Sequence, residues 1–417
     1  MSARKNMARA MVEAYKAGGG GSRGAKVVET AFAEKDFDAR DFSIRETFVA
    51  CYGEAALSNL SNPGRGGSRY LEAGVGGAVD HTAFSNLTTT VIRGLMDEEA
   101  RETDVNLGDS FATTVPTEFE AGEKVIGLKR VGREANRVVR AGEEYSAYGF
   151  GEDWQTKPDT QKRGGYVLLT KEMIAEDRTG RALEAARTII DEARMNKNER
   201  ILKAVLGIDN AIYRPLGVAE ATYTAATSGL DDNARVNLIA SGAELVDWTD
   251  IDLALQLWAD MRHKVTGRPI QISPDRMQIL CMPAKAMTVR HVLGADSVEV
   301  GTVGTAPNGA RTGGNPVKGV VGQVTVSNLA YSLLTRSATD PYMPGGGIST
   351  TNAKNYWYMG DFARAFEYLE NWPLTVETLG ADTLLGFTRD VVFGVKVSEK
   401  GVIAVKDPRF VAQMRQA

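Results

Sequence analysis

Between Arg163 and Gly207 the apolar positions change their period. Gly164 and Gly165 release a short apolar run, Tyr166–Leu169, which predicts a strand. Thr170 is placed to cap a first helical turn over Lys171–Asp177, and Thr179 is a second N-cap candidate because its hydroxyl accepts from an orphan backbone N–H. After it, Leu183, Ala186, Ile190, Ala193, Ile201, Leu202 and Val205 recur at helix spacing. Gly207 supplies the stop, since glycine enters the left-handed conformation without steric cost. The pattern predicts one helix of roughly 25 residues, about 37 Å long. Arg181, Glu184, Arg187, Asp191, Glu192, Arg194, Lys197, Glu199 and Arg200 occupy its other faces with both signs of charge. Pattern alone leaves two readings open: the core helix of an enzyme, or a spine whose charged faces meet neighbouring copies of the chain.

Upstream, Met1–Lys16 fits a short amphipathic helix with Met7, Ala10, Met11 and Tyr15 on one side. Gly18-Gly19-Gly20-Gly21-Ser22 follows as a flexible linker, and a helix with a linker at a terminus reads as an arm. The run is no P-loop, because it lacks the Lys-Ser/Thr pair and no apolar strand precedes it. Ser43-Ile44-Arg45-Glu46 is a capping box opening a helix through Phe48, Val49 and Tyr52. Ser61–Gly77 predicts a Gly/Ser-rich mobile loop, and Thr82–Asp97 holds an apolar cluster of Phe84, Leu87, Val91, Ile92 and Leu95.

From Phe111 to Tyr166 strand-like pieces, Phe119–Val125, Val138–Tyr145 and Gly149–Thr156, are broken by glycines and contain few large aliphatic residues. Such a segment buries little of itself. It predicts a protruding β-hairpin loop whose exposed edges need a partner surface.

Beyond the long helix, Ile208–Val246 is polar and irregular. Asp247–Asp252 starts a helix with Thr249 as cap; its apolar face is Ile251, Ala254, Leu255, Trp258, Met261 and Val265, and Gly267 and Pro269 end it. Gln271–Leu280 predicts a strand and turn, and Pro283–Leu293 a helix with proline in its first turn. Gly301–Gly319 predicts a long loop. Strands are expected at Val320–Ser327, Asn355–Met359, Ala365–Leu369, Trp372–Leu379, Asp390–Val397 and Gly401–Lys406; Val391, Phe393, Val395 and Val397 alternate. The order gives an α+β protein without internal repeats.

At 417 residues the chain exceeds the usual size of a single core, so two or more lobes are expected. Its 43% hydrophobic and 24% charged content is that of an ordinary globular protein, and a net charge of −4 gives no bulk attraction for nucleic acid. Forty-four glycines, many in runs, favour long loops or arms. No apolar run is long enough to span a membrane, and no signal-peptide core follows Arg4, Lys5 and Arg9. Two cysteines, Cys51 and Cys281, make neither a disulfide framework nor a zinc site, and fit a reducing cytoplasm.

Catalytic constellations fail one by one. His263 stands between Arg262 and Lys264 near a helix end, and His291 follows Arg290 on a helix, so both read as solvated or dipole-complementing. Cys281 lies in the apolar run Ile279–Met282, which makes a thiol inert. Glu118, Glu120, Glu123, Glu143, Glu144, Glu152 and Asp153 fall on the hairpin, where catalytic carboxylates would lack a rigid support. The glycines around Gly301 and Gly304 do not lead from a strand into a helix, so a dinucleotide fingerprint is absent. No catalytic, cofactor-binding or metal-ligating residue is assigned.

Val115–Leu128, Ala141–Trp154, Gly164–Gly180, Leu245–Met261, Tyr356–Glu377 and Arg389–Val411 together resemble, in order, the major capsid proteins of tailed bacteriophages, whose fold is named after phage Hong Kong 97. The resemblance spans about residues 80–411. It implies an N-terminal arm over 1–80, a peripheral-domain segment over 81–127 and an extended loop over 128–168 that lies on a neighbouring subunit. The spine helix and peripheral domain would take 169–249, the axial domain 250–370, return strands of the peripheral domain 371–406, and a last axial segment 407–417.

The function so implied is self-assembly into hexamers and pentamers of an icosahedral shell around double-stranded DNA, which is enclosed without sequence-specific contact. Scaffolding, decoration and portal proteins are the further partners implied. No cofactor or membrane is involved, and the expected place is the virion capsid, assembled in the host cytoplasm. Some relatives join a loop lysine covalently to a neighbour's asparagine; Lys157 and Lys162 lie in the loop here, without an assigned partner. An encapsulin-like compartment shell shares the fold but is expected to lack so long an arm. A soluble α+β enzyme using Glu120, Glu123 or His263, and a tail or decoration protein, are the rivals from other classes.

Overall fold

The computed structural model describes residues 2–19, 21–33, 44–52, 87, 107–118, 124–131, 140–143, 149–170, 181–209, 212–225, 235–262, 269–300, 311–341, 344–379 and 391–415. In chain order the elements are α1 (Ser2–Ala17), α2 (Gly21–Ala33), α3 (Ile44–Tyr52), α4 (Leu107–Phe111), β1 (Thr113–Pro116), β2 (Lys124–Val131), β3 (Gly149–Thr156), β4 (Gln161–Thr170), α5 (Arg181–Val205), β5 (Leu238–Ile239) and α6 (Trp248–Asp260). Then come β6 (Gln278–Cys281), α7 (Ala286–Gly294), β7 (Ser297–Val300), β8 (Arg311–Gly314), β9 (Gln323–Val326), α8 (Asn328–Thr335), α9 (Thr350–Ala353), β10 (Trp357–Gly360), α10 (Phe362–Ala365), β11 (Phe366–Leu379), β12 (Val391–Val405) and β13 (Val411–Met414). The protein is α+β.

The chain forms two compact units, each assembled from three segments. The first takes Met1–Leu107, Lys162–Lys197 and Trp372–Lys400; the second takes Gly108–Gln161, Asn198–Asn371 and Gly401–Ala417.

In the first unit α1 buries Ala8, Met11, Val12 and Tyr15, a stripe at helix spacing. This stripe is rotated from the expected one: Met7 is only half-buried and Ala10 is exposed. The glycine run is also not the expected spacer. Gly21 and Ser22 open α2, and Gly19 takes φ +83° at the end of α1. A Cβ at Gly24 would stand 2.4 Å from the Tyr15 carbonyl oxygen, so glycine there lets the two helices touch. Ser43 and most of the Thr82–Asp97 cluster lie outside the described residues, although Leu87 is described and buried.

The long helix runs from Arg181 to Val205, as the periodicity predicts. It closes in a Schellman motif: the Gly207 N–H donates to the Ala204 carbonyl and the Ile208 N–H to that of Lys203, with Gly207 at φ +68°. Thr179 and Lys171–Asp177 lie outside the described residues.

The second unit is centred on a five-stranded sheet of order β5-β13-β10-β6-β9. β10 pairs antiparallel with both β13 and β6, while β6–β9 and β13–β5 are parallel. Ile279, Leu280 and Cys281 of β6 and Trp357, Tyr358 and Met359 of β10 are fully buried. Buried aromatic tips find acceptors: Trp357 Nε1 donates to the Ala243 carbonyl at 2.8 Å and Trp258 Nε1 to that of Arg409 at 3.0 Å. Helix α6 begins two residues earlier than expected. Asp247, not Thr249, is its N-cap, and Asp250 completes a capping box by accepting from the Asp247 N–H.

Two pairs of predicted strands are each one strand. Ala365–Leu369 and Trp372–Leu379 merge into β11, which runs through Pro373. β1 pairs with β11 only as far as Glu370, so Pro373 lies beyond the β1 ladder. Asp390–Val397 and Gly401–Lys406 merge into β12. Gly401 is no break; a Cβ there would stand 2.7 Å from the Tyr368 hydroxyl. The four-stranded sheet has the order β1-β11-β12-β4. Within the expected Gly301–Gly319 loop, Arg311–Gly314 is a strand paired antiparallel with β7.

Candidate functional site

The expected hairpin is present as β2 and β3, paired antiparallel from Lys124↔Thr156 to Val131↔Gly149. Among the described residues this sheet has only these two strands. A two-stranded ribbon is marginal on its own in water, so its base has to be held by something else. The Thr156 N–H donates to the Arg214 carbonyl at 3.1 Å, and the Leu216 N–H to the Trp154 carbonyl at 3.0 Å. The Gln155 side-chain amide donates to the Val405 carbonyl. Lys157, just past β3, is buried and ion-paired with Glu367 of β11.

In the first unit a groove of ≈ 560 Å³ is lined by β4 residues Lys162, Arg163 and Tyr166, by Glu192 and Asn196 of α5, and by Leu374 and Glu399. Tyr166 is 68% exposed. Beside it the Nζ atoms of Lys162 and Lys400 stand 5.7 and 5.4 Å from the Trp372 ring centroid, within cation–π reach. On the same strands Lys396 Nζ lies 2.6 Å from a Glu377 oxygen, and its hydrogen bond and charge hold that carboxyl below its usual range. These are exposed contacts of little energetic weight.

Among the described residues of the second unit, the most exposed large apolar side chains are Val246 at 63% and Met287 at 76%. They follow, by two residues each, the ion-paired Glu244 and Lys285.

The candidate chemical residues are scattered. Cys281 is buried in β6, and burial pushes its thiol up to about 11; burial likewise raises Cys51 to about 12, against the opposing charge of Lys16. Both shifts favour the protonated thiol over the reactive thiolate. His291 is an exposed residue of α7. Glu118 is exposed; Glu143 is exposed and accepts from the Arg140 N–H in a turn. Glu152 and Asp153 lie in β3. His81, His263, Glu120, Glu123, Glu144, Gly301 and Gly304 lie outside the described residues. No group of three or more His, Cys, Asp or Glu able to hold a metal occurs among the described residues. Of the two loop lysines, Lys157 is committed to Glu367 within the chain and Lys162 is exposed over Trp372.

Sequence reasoning missed the buried polar contacts that fix the second unit. Arg235 reaches Glu220 and the Ala221 carbonyl and lies 5.0 Å from the Tyr213 ring centroid. Asn237 donates to the carbonyls of Thr222, Pro408 and Val411 and accepts from the Thr224 N–H. Both sit in the polar stretch Ile208–Val246, where no local periodicity announces burial.

No helix among the described residues is long and apolar enough to cross a membrane. No curated protein matches the chain. Among solved structures, the capsid of the cyanophage P-SCSP1u is 12% identical, with 74% of this chain and 87% of that chain covered at a TM-score of 0.47. The mature capsid of bacteriophage PhiM1 is 10% identical, covering 75% and 87% at 0.44. The capsid of a native GTA particle is 13% identical, covering 76% and 91% at 0.44. Likenesses at this level carry no argument by themselves. A family model described as phage capsid protein matches residues 154–414, from the end of β3 to the last residue of β13. That match covers more than half of the chain, and the chain belongs to the phage capsid protein family.

Proposed function

We propose that the chain is the major head subunit of a tailed phage, with a Hong Kong 97-type fold. Its copies associate as hexamers and pentamers and close an icosahedral shell around double-stranded DNA. The observation that carries this reading is the family match over residues 154–414. A hairpin with no third strand among the described residues adds to it, since such a ribbon gains stability by packing on another surface. Heterologous contacts between identical subunits then close rings and a shell. Many weak contacts acting together hold it.

In this reading residues 1–80 are the N-terminal arm, 81–127 a peripheral segment, 128–168 the extended loop and 169–249 the spine helix with peripheral elements. Residues 250–370 form the axial domain, 371–406 return to the peripheral domain, and 407–417 end in the axial domain. Assembly takes place in the host cytoplasm, with scaffolding, decoration and portal proteins as further partners and DNA held without sequence-specific contact.

Sedimentation velocity over a range of protein concentrations tests the proposal. A subunit boundary that converts cooperatively to one very large species supports it. Monomers or dimers at every concentration, with scaffolding protein present or absent, would reject it.

A further inference from the structure

The hairpin β2–β3 meets the rest of its unit through a clasp whose contacts differ in kind. Two are backbone hydrogen bonds, from Thr156 to Arg214 and from Leu216 to Trp154. One is the Gln155 side-chain bond to Val405. One is aromatic: a Cβ at Gly217 would stand 2.8 Å from the Trp154 ring, so the glycine lets the indole close on the loop. The last is the buried pair Lys157–Glu367. Leu216 holds φ +51° in this loop, and Gly217 holds φ +82°. A non-glycine residue keeps such a conformation where its surroundings over-determine it.

We propose that these contacts form a latch that sets the direction of the hairpin within its own subunit, before a second copy is met. Lys157–Glu367 is its ionic bolt. A buried ion pair adds little net stability against apolar replacements, yet separating its partners leaves an uncompensated buried charge, so it selects one geometry strongly. The hairpin is thereby held in one direction, and an element already held so loses less freedom on association. The second step rests on the assembly reading above, because the hairpin is taken there as the connector between copies. The first step does not.

Hydrogen exchange read by mass spectrometry on the full chain tests the latch through peptides covering 149–160 and 212–218. Lys157→Met, Glu367→Gln and Trp154→Ala are each expected to speed exchange there about tenfold or more, while β6 and β10 stay protected. Lys157→Met/Glu367→Leu, which leaves no charge unpaired, is expected to restore slow exchange. Unchanged exchange in the single variants would overturn the latch. Equal loss of protection in β6 and β10 would overturn it too, since the pair would then serve folding of the unit as a whole. Trp154→Ala is also expected to raise the concentration needed for assembly about tenfold. Faster exchange with unchanged assembly would overturn the preorganisation step. A wild-type chain that never assembles would reject the shell reading, while the exchange data still decide the latch.

Discussion

Glu199 shows how a single residue's surroundings set its chemistry. It is half-buried near the end of α5, and burial raises its carboxyl above the ordinary 4.5, opposed by the charges of Lys203 and Arg336. A carboxyl raised on folding binds its proton more tightly in the native state. Its contribution to stability is therefore greatest at low pH and falls as pH rises from 4.5 through the raised value. Urea unfolding across this range should show that fall, and Glu199→Gln should flatten it. A slope unchanged by the substitution would contradict this reading. Legibility was poorest at this scale. Lys157 and Glu367 are 210 positions apart, and nothing local to either announces the pair. Arg235 and Asn237 are likewise buried inside a stretch whose composition reads as loop. Gly207 was the opposite case, because a glycine directly after the last apolar helical position has a physical reason to be there.

At the scale of elements, period was a dependable guide and boundaries were not. The 25-residue α5 emerged from apolar spacing and its glycine stop. The apolar face of α6 was found, with Ile251, Ala254 and Trp258 buried. Its start was misplaced because Asp247, Thr249 and Asp250 are all competent capping residues, and only the backbone geometry selects among them. Asp247→Ala should lower the stability of the chain by about 1 kcal/mol in denaturant unfolding, as loss of an N-cap does. An unchanged midpoint would mean that packing of the helix outweighs its cap. The expected strands Ala365–Leu369 and Trp372–Leu379 are one strand, as are Asp390–Val397 and Gly401–Lys406. A packing partner distant in sequence explains Gly401: Tyr368 fills the space that a side chain at 401 would need. The N-terminal glycine run was mistaken for a spacer for the same reason. Only contact with α2 shows that Gly18 serves close helix packing, since a Cβ there would stand 2.9 Å from the Gly24 Cα.

At the scale of the molecule, the chain is a structural protein of a phage capsid, and its family match begins at the end of β3 and runs to the end of β13. Its two units are each made from three separated segments, and α5, β11 and β12 each contribute residues to both. Neither unit can be built until distant parts of the chain are present, which places much of the fold in long-range contacts. Composition bounded the class of protein, and the sequence assembled no catalytic constellation. The order of the recognisable stretches pointed to the family. The hairpin carries the sequence reading into structure: a segment poor in core residues folds as a paired ribbon, and Lys157 just past it is held in a buried ion pair.

Copies of this chain are proposed to build a closed shell. Negative-stain electron microscopy of the purified, assembled protein tests it most directly. Uniform closed shells are expected, with hexameric and pentameric rings among incomplete particles. Small discrete oligomers that stay open at every salt concentration and pH, and that added scaffolding protein does not convert to shells, would contradict it.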